Sequence, residues 1–255
     1  MTNASTPHDA TQPNPTPHNP TQHNPTQHNP GRVLVTGGSS GLGAAVVQEV
    51  SAAGGTPVVL DLQPPADPAV SFIGVDVTDR PALTAAVDEA ATRLGGLDAV
   101  VTAAGIDRCG KLDEVPADQW ELVLGVNLLG TVSAARAALP HLKDSHGRLV
   151  VIASTLALRG VSDATAYCAS KFGVLGFSRA LAAETAGKLG VTTIIPGGMD
   201  THFFDDRTEQ YRPADNSRLN DPSRVAASIL FALSQPAGCE VRELLICHEG
   251  EDSWP

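Results

Sequence analysis

The chain lacks what several protein classes require. Its 255 residues hold no stretch of the roughly 18 uninterrupted apolar residues that span a membrane. Its 17 basic residues, against 28 acidic ones, form no cluster able to displace counterions from a nucleic-acid backbone. Cys109, Cys168, Cys239 and Cys247 include no CxxC pair and read as reduced, unpaired thiols of a cytoplasmic protein. The N-terminal segment has neither the apolar core of a secretory signal nor the arginines of a transit peptide.

What the first 30 residues do hold is a five-residue repeat of Thr, Gln, His, Asn and Pro. It has nothing to bury and frequent prolines, so a disordered leader is expected over residues 1–30. His18, His23 and His28 supply ligand chemistry without preformed geometry, and no metal site is expected. Only Asp9 of this leader is charged, so a single domain over 31–255 carries 27 acidic against 17 basic residues.

From Gly31 onward the chain alternates. RVLVT, TPVVLDL, VSFIGVDV, LDAVVTAAG, GRLVVIAS, GVTTIIP and VRELLIC are short runs rich in Val, Ile and Leu. Helical stretches stand between most of them, including LGAAVVQEVSAAG, PALTAAVDEAATRLG, NLLGTVSAARAALPHL and residues 163–187. Strands that are nearly all apolar are buried on both faces, as in parallel sheets covered by helices. The pattern predicts an α/β domain of Rossmann type: a doubly wound, parallel sheet of about seven strands with helices on both faces. Ligands of such folds sit at the carboxyl ends of the strands.

TGGSSGLG, residues 36–43, joins the first strand to a helix. Bare backbone there brings N–H groups and the positive end of a helix dipole to a pyrophosphate. Asp61 ends the next strand, 18 residues after Gly43. A carboxylate at that place accepts from both hydroxyls of an adenosine ribose and repels a 2′-phosphate. No Arg or Lys lies in the loop or directly after Asp61, so NAD is expected over NADP.

Tyr167 and Lys171 are four apart on a predicted helix and share a face. Ser154 ends the strand GRLVVIAS, at the same edge of the sheet. A phenol with an ordinary pKa near 10 works as an acid or base at neutral pH only beside a positive charge. Lys171 can supply that charge, and Ser154 can bond the substrate oxygen.

These residues resemble the short-chain dehydrogenases/reductases from Arg32 to the last strand. Gly37, Ser39, Ser40, Gly41, Leu42 and Gly43 fall on the TGxxxGxG cofactor loop. Tyr167 and Lys171 match YxxxK, with Ser154 13 residues ahead of the tyrosine. The resemblance implies further roles. The backbone carbonyl of Asn127 would help hold a water linked to the lysine, completing a proton path. Asp76 and Val77 would meet the adenine; Pro196, Gly197 and Thr201 the nicotinamide. Thr102, Ala103, Ala104 and Gly105 stand where the family has NNAG; Ala103 cannot supply the strand tie of the asparagine it replaces. The ending VRELLICHEGEDSWP departs from the strand and Gly-Gly pair of many members.

The implied activity is interconversion of a secondary alcohol and a ketone with NAD, Tyr167 acting as general acid and base. Alternatives are an NADPH-dependent carbonyl reductase, a dinucleotide-binding sensor without turnover, and an interaction protein working through its leader. Residues 199–221, polar and poorly periodic, read as a lid. Phe203, Phe204 and Tyr211 either line a pocket or anchor this segment. Arg159, His202 and Arg207 either meet a substrate anion or lie at the surface. The expected partners are a small alcohol or ketone, without nucleic acid or membrane. The broad apolar faces of 127–142 and 163–187 suit a homodimer or homotetramer.

Overall fold

The computed structural model describes residues 29–205, 207–213 and 215–251. The leader through residue 28, including His18, His23 and His28, lies outside the described residues. Seven strands follow: β1 (Arg32–Thr36), β2 (Thr56–Asp61), β3 (Ser71–Gly74), β4 (Ala99–Thr102), β5 (Arg148–Ile152), β6 (Gly190–Pro196) and β7 (Glu243–Ile246). The helices are α1 (Gly41–Ala52), α2 (Arg80–Leu94), α3 (Ala117–Leu124), α4 (Thr131–Ser145), α5 (Thr165–Glu184) and α6 (Pro222–Leu233).

The strands form one sheet in the order β3-β2-β1-β4-β5-β6-β7, and every pairing is parallel. Period-two alternation along β1 sorts its side chains between two cores. Val33 and Val35 pack with Val46 of α1 and Ile229 of α6, whereas Leu34 packs with Leu83 of α2, Leu142 of α4 and Val174 of α5. Leu34, Leu60 and Leu149 are fully buried, each contributing roughly 1.5–3 kcal/mol. Strand order reverses between β1 and β4, so a cleft opens over their carboxyl ends.

Five of the expected strands are shorter than their apolar runs, β3 and β4 most of all. β3 stops at Gly74, after which Val75 donates to the Asp61 carbonyl at 2.9 Å and the chain crosses the cleft. β4 stops at Thr102, freeing residues 103–105 to form the cleft floor. Helices α3 and α6 stand beyond the stretches that periodicity singled out. For α6 a local signal exists: Pro222 opens it, and the Asp221 side chain accepts from Ser223 N at 2.8 Å.

Helix α3 continues into α4 through a π-helical turn, Gly125–Gly130. The joined helix, Ala117–Ser145, is long and apolar enough by length and composition to cross a membrane. An uninterrupted-run criterion passes over it because Asn127, Thr131 and Arg136 break the run. In the fold, Val123, Ala134, Ala138 and Leu142 of this helix are buried in the protein.

Candidate active site

The glycine loop is shaped by close approach. Gly37 has φ +68°, and a Cβ there would lie 2.6 Å from the backbone of Ala104. A Cβ on Gly43 would collide with the Gly37 carbonyl. Gly41, with φ +50°, opens toward Thr201. Ser40 caps α1 without a side-chain hydrogen bond, and no acidic residue stands in its first turn. The first-turn amides therefore meet the cleft unmasked, which suits a phosphate.

At the end of β2 the Asp61 carboxylate accepts from Ser39 N at 3.0 Å, Leu62 N at 2.7 Å and Gln63 N at 3.3 Å. Ser39 is thereby held by its amide at the end of β2. Its hydroxyl donates to the Gln63 carbonyl at 2.5 Å, and it does not line the cleft. Across from Asp61 stand Asp76, whose carboxylate accepts from Thr78 N and Oγ1 at 2.8 Å, and Val77. One continuous cavity of about 840 Å³ runs from these groups past Ala103, Ala104 and Gly105 to Ser154, Tyr167, Lys171, Pro196, Gly197 and Thr201. Its length, glycine cradle and carboxylate end fit a dinucleotide.

Ser154 follows β5, its Oγ accepts from Leu156 N at 3.1 Å, and it lines the same cavity as Tyr167. One turn along α5, Lys171 Nζ lies 5.5 Å from the Tyr167 ring centroid and donates to the Ile152 carbonyl at 2.9 Å. Burial pushes the Tyr167 phenol well above its ordinary pKa; Ser154 opposes this, Asp107 adds to the rise, and Arg207 counters it. Burial lowers the Lys171 amine to about 8, against the pull of Asp107.

Asn127 sits in the π-helical turn, 1% exposed. Its side chain accepts from Ile106 N at 2.8 Å and donates to Ile106 O at 2.9 Å and Ser170 Oγ at 3.1 Å. It thus clamps the segment after β4 to α5, one residue from Lys171. Its backbone carbonyl accepts from Thr131 Oγ1 at 2.8 Å.

Of the described residues in 199–221, Phe203, Phe204, Arg207 and Tyr211 line the cavity that Tyr167 also lines. Phe203 packs on Tyr167 with ring centroids 5.8 Å apart, and Arg207 lies over Phe203 and Phe204. Arg207 Nη2 pairs with Asp107 Oδ2 at 2.6 Å, their side chains being 18% and 3% exposed. The Asp107 carboxylate also accepts from Cys109 Sγ at 3.2 Å and Arg108 N at 2.7 Å. His202 pairs with Asp205 at the surface, and Arg159 is exposed. Tyr211 lines the cavity wall and its carbonyl accepts from Arg207 Nη1 at 3.3 Å.

The family model for short chain dehydrogenases matches residues 31–212. The chain belongs to the short chain dehydrogenase family. An uncharacterized oxidoreductase of Staphylococcus aureus (strain N315) is 32% identical over 225 residues, covering 84% of this chain and 95% of that one. The L-fucose dehydrogenase of Mus musculus is 33% identical over 234 residues, covering 84% and 86%. Among solved structures, ligand-free aldohexose dehydrogenase of Thermoplasma acidophilum superposes with TM-score 0.78 at 25% identity, over 85% of this chain and 92% of its own. An alcohol dehydrogenase of Thermococcus sibiricus, complexed with 5-hydroxy-NADP, shares the fold with TM-score 0.76 at 22% identity, over 87% and 98%.

As a short chain dehydrogenase the protein is an oxidoreductase that binds a nicotinamide dinucleotide. Where Ala103 replaces the family asparagine, main chain and a threonine make the tie. Ala103 N donates to the Thr36 carbonyl at 3.0 Å, and Ala104 N to Thr36 Oγ1 at 3.4 Å. Asp107 and Glu251 join the site without any motif of their own. Asp107 belongs to an irregular loop, and Glu251 follows the last strand; no spacing rule connects either to Tyr167.

Proposed function

We propose that this short chain dehydrogenase interconverts a secondary alcohol and a ketone with NAD, Tyr167 serving as acid and base. The carrying observation is that Ser154, Tyr167 and Lys171 line one cavity with the glycine loop, Lys171 Nζ lying 5.5 Å from the Tyr167 ring centroid. NAD, when bound, supplies the hydride acceptor. Gly37, Gly41 and Gly43 hold its pyrophosphate, and Asp61 its adenosine ribose. In oxidation Tyr167, as phenolate, takes the proton of the substrate hydroxyl while Ser154 holds that oxygen. In reduction Tyr167 returns the proton. Burial opposes the phenolate, so a positive charge on Lys171 has to offset it. Phe203 excludes water from the tyrosine.

Two observations support NAD over NADP. Asp61 is held by amides at the end of β2 with Asp76 opposite, so a 2′-phosphate would bring like charge against both. No Lys or Arg lies among the cavity residues 60–62 and 75–77. The names of the mouse relative and the archaeal neighbour bring L-fucose and aldohexoses into the candidate substrates. Leu122, Leu129 and Phe172 are exposed on the α3–α4 helix and α5, which supports burial in a homodimer or homotetramer. The four free cysteines suit a cytoplasmic setting.

The test follows reduced nicotinamide by absorbance, with NAD and NADP in parallel, over secondary alcohols, hydroxy acids, sterols and sugars. Tyr167→Phe should lower turnover by about 10²–10⁴-fold while dinucleotide binding persists. Full turnover in that variant would remove Tyr167 from the chemistry.

A further inference from the structure

The two ends of the cavity fix how an extended dinucleotide lies in it. With its phosphates on α1 and its adenosine at Asp61, the reactive end must reach Tyr167 and Lys171. Opposite them lie Gly197 and Gly198, where β6 ends. A third group occupies this end. After β7 the chain turns, Gly250 N donating to His248 Nδ1 at 3.0 Å and Glu251 N to the His248 carbonyl at 2.9 Å. The turn brings the Glu251 side chain back into the cavity wall. Both carboxylate oxygens accept from Gly198 N at 3.0 Å. The carboxylate also covers Gly197 so closely that a Cβ there would collide with it.

A ring carboxamide arriving at this end can use two things: an N–H donor for its oxygen and a backbone surface free of side chains. The Gly198 amide and the face of Gly197 are those two things. We propose that Glu251 is an affinity-determining residue at the nicotinamide end of the cleft. Its carboxylate competes for the Gly198 amide and the Gly197 surface, opposing the reactive half of the cofactor without touching the ADP half. The inference rests on the dinucleotide-binding reading and gives the unusual C-terminal sequence CHEGE a task. The competitor is a charge-assisted acceptor on a backbone donor, the stronger kind of hydrogen bond.

Binding to the full-length chain tests this without turnover. Dissociation constants for NADH and for ADP-ribose, which lacks the nicotinamide, would be measured by calorimetry for wild type, Glu251→Gln and Glu251→Ala. Removing a charge-assisted competitor should tighten NADH about tenfold in Glu251→Ala, with Glu251→Gln between it and wild type. ADP-ribose should bind all three alike. An unchanged or weaker NADH affinity in Glu251→Ala overturns the proposal, as does an equal tightening of ADP-ribose. If wild type and both variants bind neither ligand, the dinucleotide reading itself falls and takes this inference with it.

Discussion

Lys171→Met should change how the stability of the protein depends on pH. The lysine is 5% exposed, and burial lowers its amine from 10.5 to about 8. The unfolded chain therefore holds this proton more tightly than the folded one. Stability is penalised in full below pH 8 and recovers as the pH rises toward 10.5. At about 1.4 kcal/mol per tenfold change in proton affinity, the penalty is about 3 kcal/mol at pH 7 and about 1 kcal/mol at pH 9.5. Methionine has similar length and carries no such penalty. It leaves the Ile152 carbonyl without its 2.9 Å donor, a loss of about 1–3 kcal/mol. At pH 7 these effects nearly cancel, so the decisive quantity is the difference between two pH values. The stability of Lys171→Met relative to wild type should fall by about 2 kcal/mol between pH 7 and pH 9.5. Urea denaturation of both proteins at both pH values measures it. A relative stability that stays constant, or that rises with pH, would refute the argument that burial depresses this amine.

Three other substitutions probe the rest of the cavity. Asp61→Ala should shift the ratio of NAD to NADP catalytic efficiency toward NADP by about tenfold or more, since one charge near the 2′-position disappears. Kinetics with both cofactors read this, and an unmoved ratio would assign the preference elsewhere. Gly37→Ala places a Cβ 2.6 Å from the Ala104 backbone at φ +68°; it should cost about 1–3 kcal/mol and weaken ADP-ribose binding, checked by denaturation and calorimetry. Asp107→Ala strands the guanidinium of Arg207 in a largely buried place, at a cost of about 3–5 kcal/mol. It should also speed proteolysis within 199–221, with unchanged cleavage showing that the pair does not hold this segment down.

Much of the fold was legible because its causes are local. The short apolar runs of β1, β2 and β6 need both faces covered, and the alternation with helices then leaves little besides a doubly wound parallel sheet. The glycine loop was legible for the same reason, since the turn and the helix start it feeds lie within eight residues. Lys171 lies one helical turn from Tyr167, so 3.6-residue periodicity alone puts both on one face. Asp61 announced itself by ending an apolar strand.

Other features depend on packing. Ser39 sits inside the loop motif, but that its amide meets the Asp61 carboxylate, 22 residues away, is set by β1 and β2 lying side by side. Helix α3 fuses with α4 only because a π-helical turn fits Asn127 against Ile106 and Ser170, residues 21 and 43 positions away. Asp107 finds Arg207 across 100 residues, and Glu251 finds Gly198 across 53. No periodicity links such partners, because loops carry no repeat and the sheet alone decides which of them meet. The sequence by itself determined the sheet, the tight glycine turn and the bringing of Ser154, Tyr167 and Lys171 to one cavity. Tertiary structure decided the cavity wall around Phe203 and Arg207 and the carboxylate at Gly198, since those contacts exist only once distant loops are brought to one edge of the sheet.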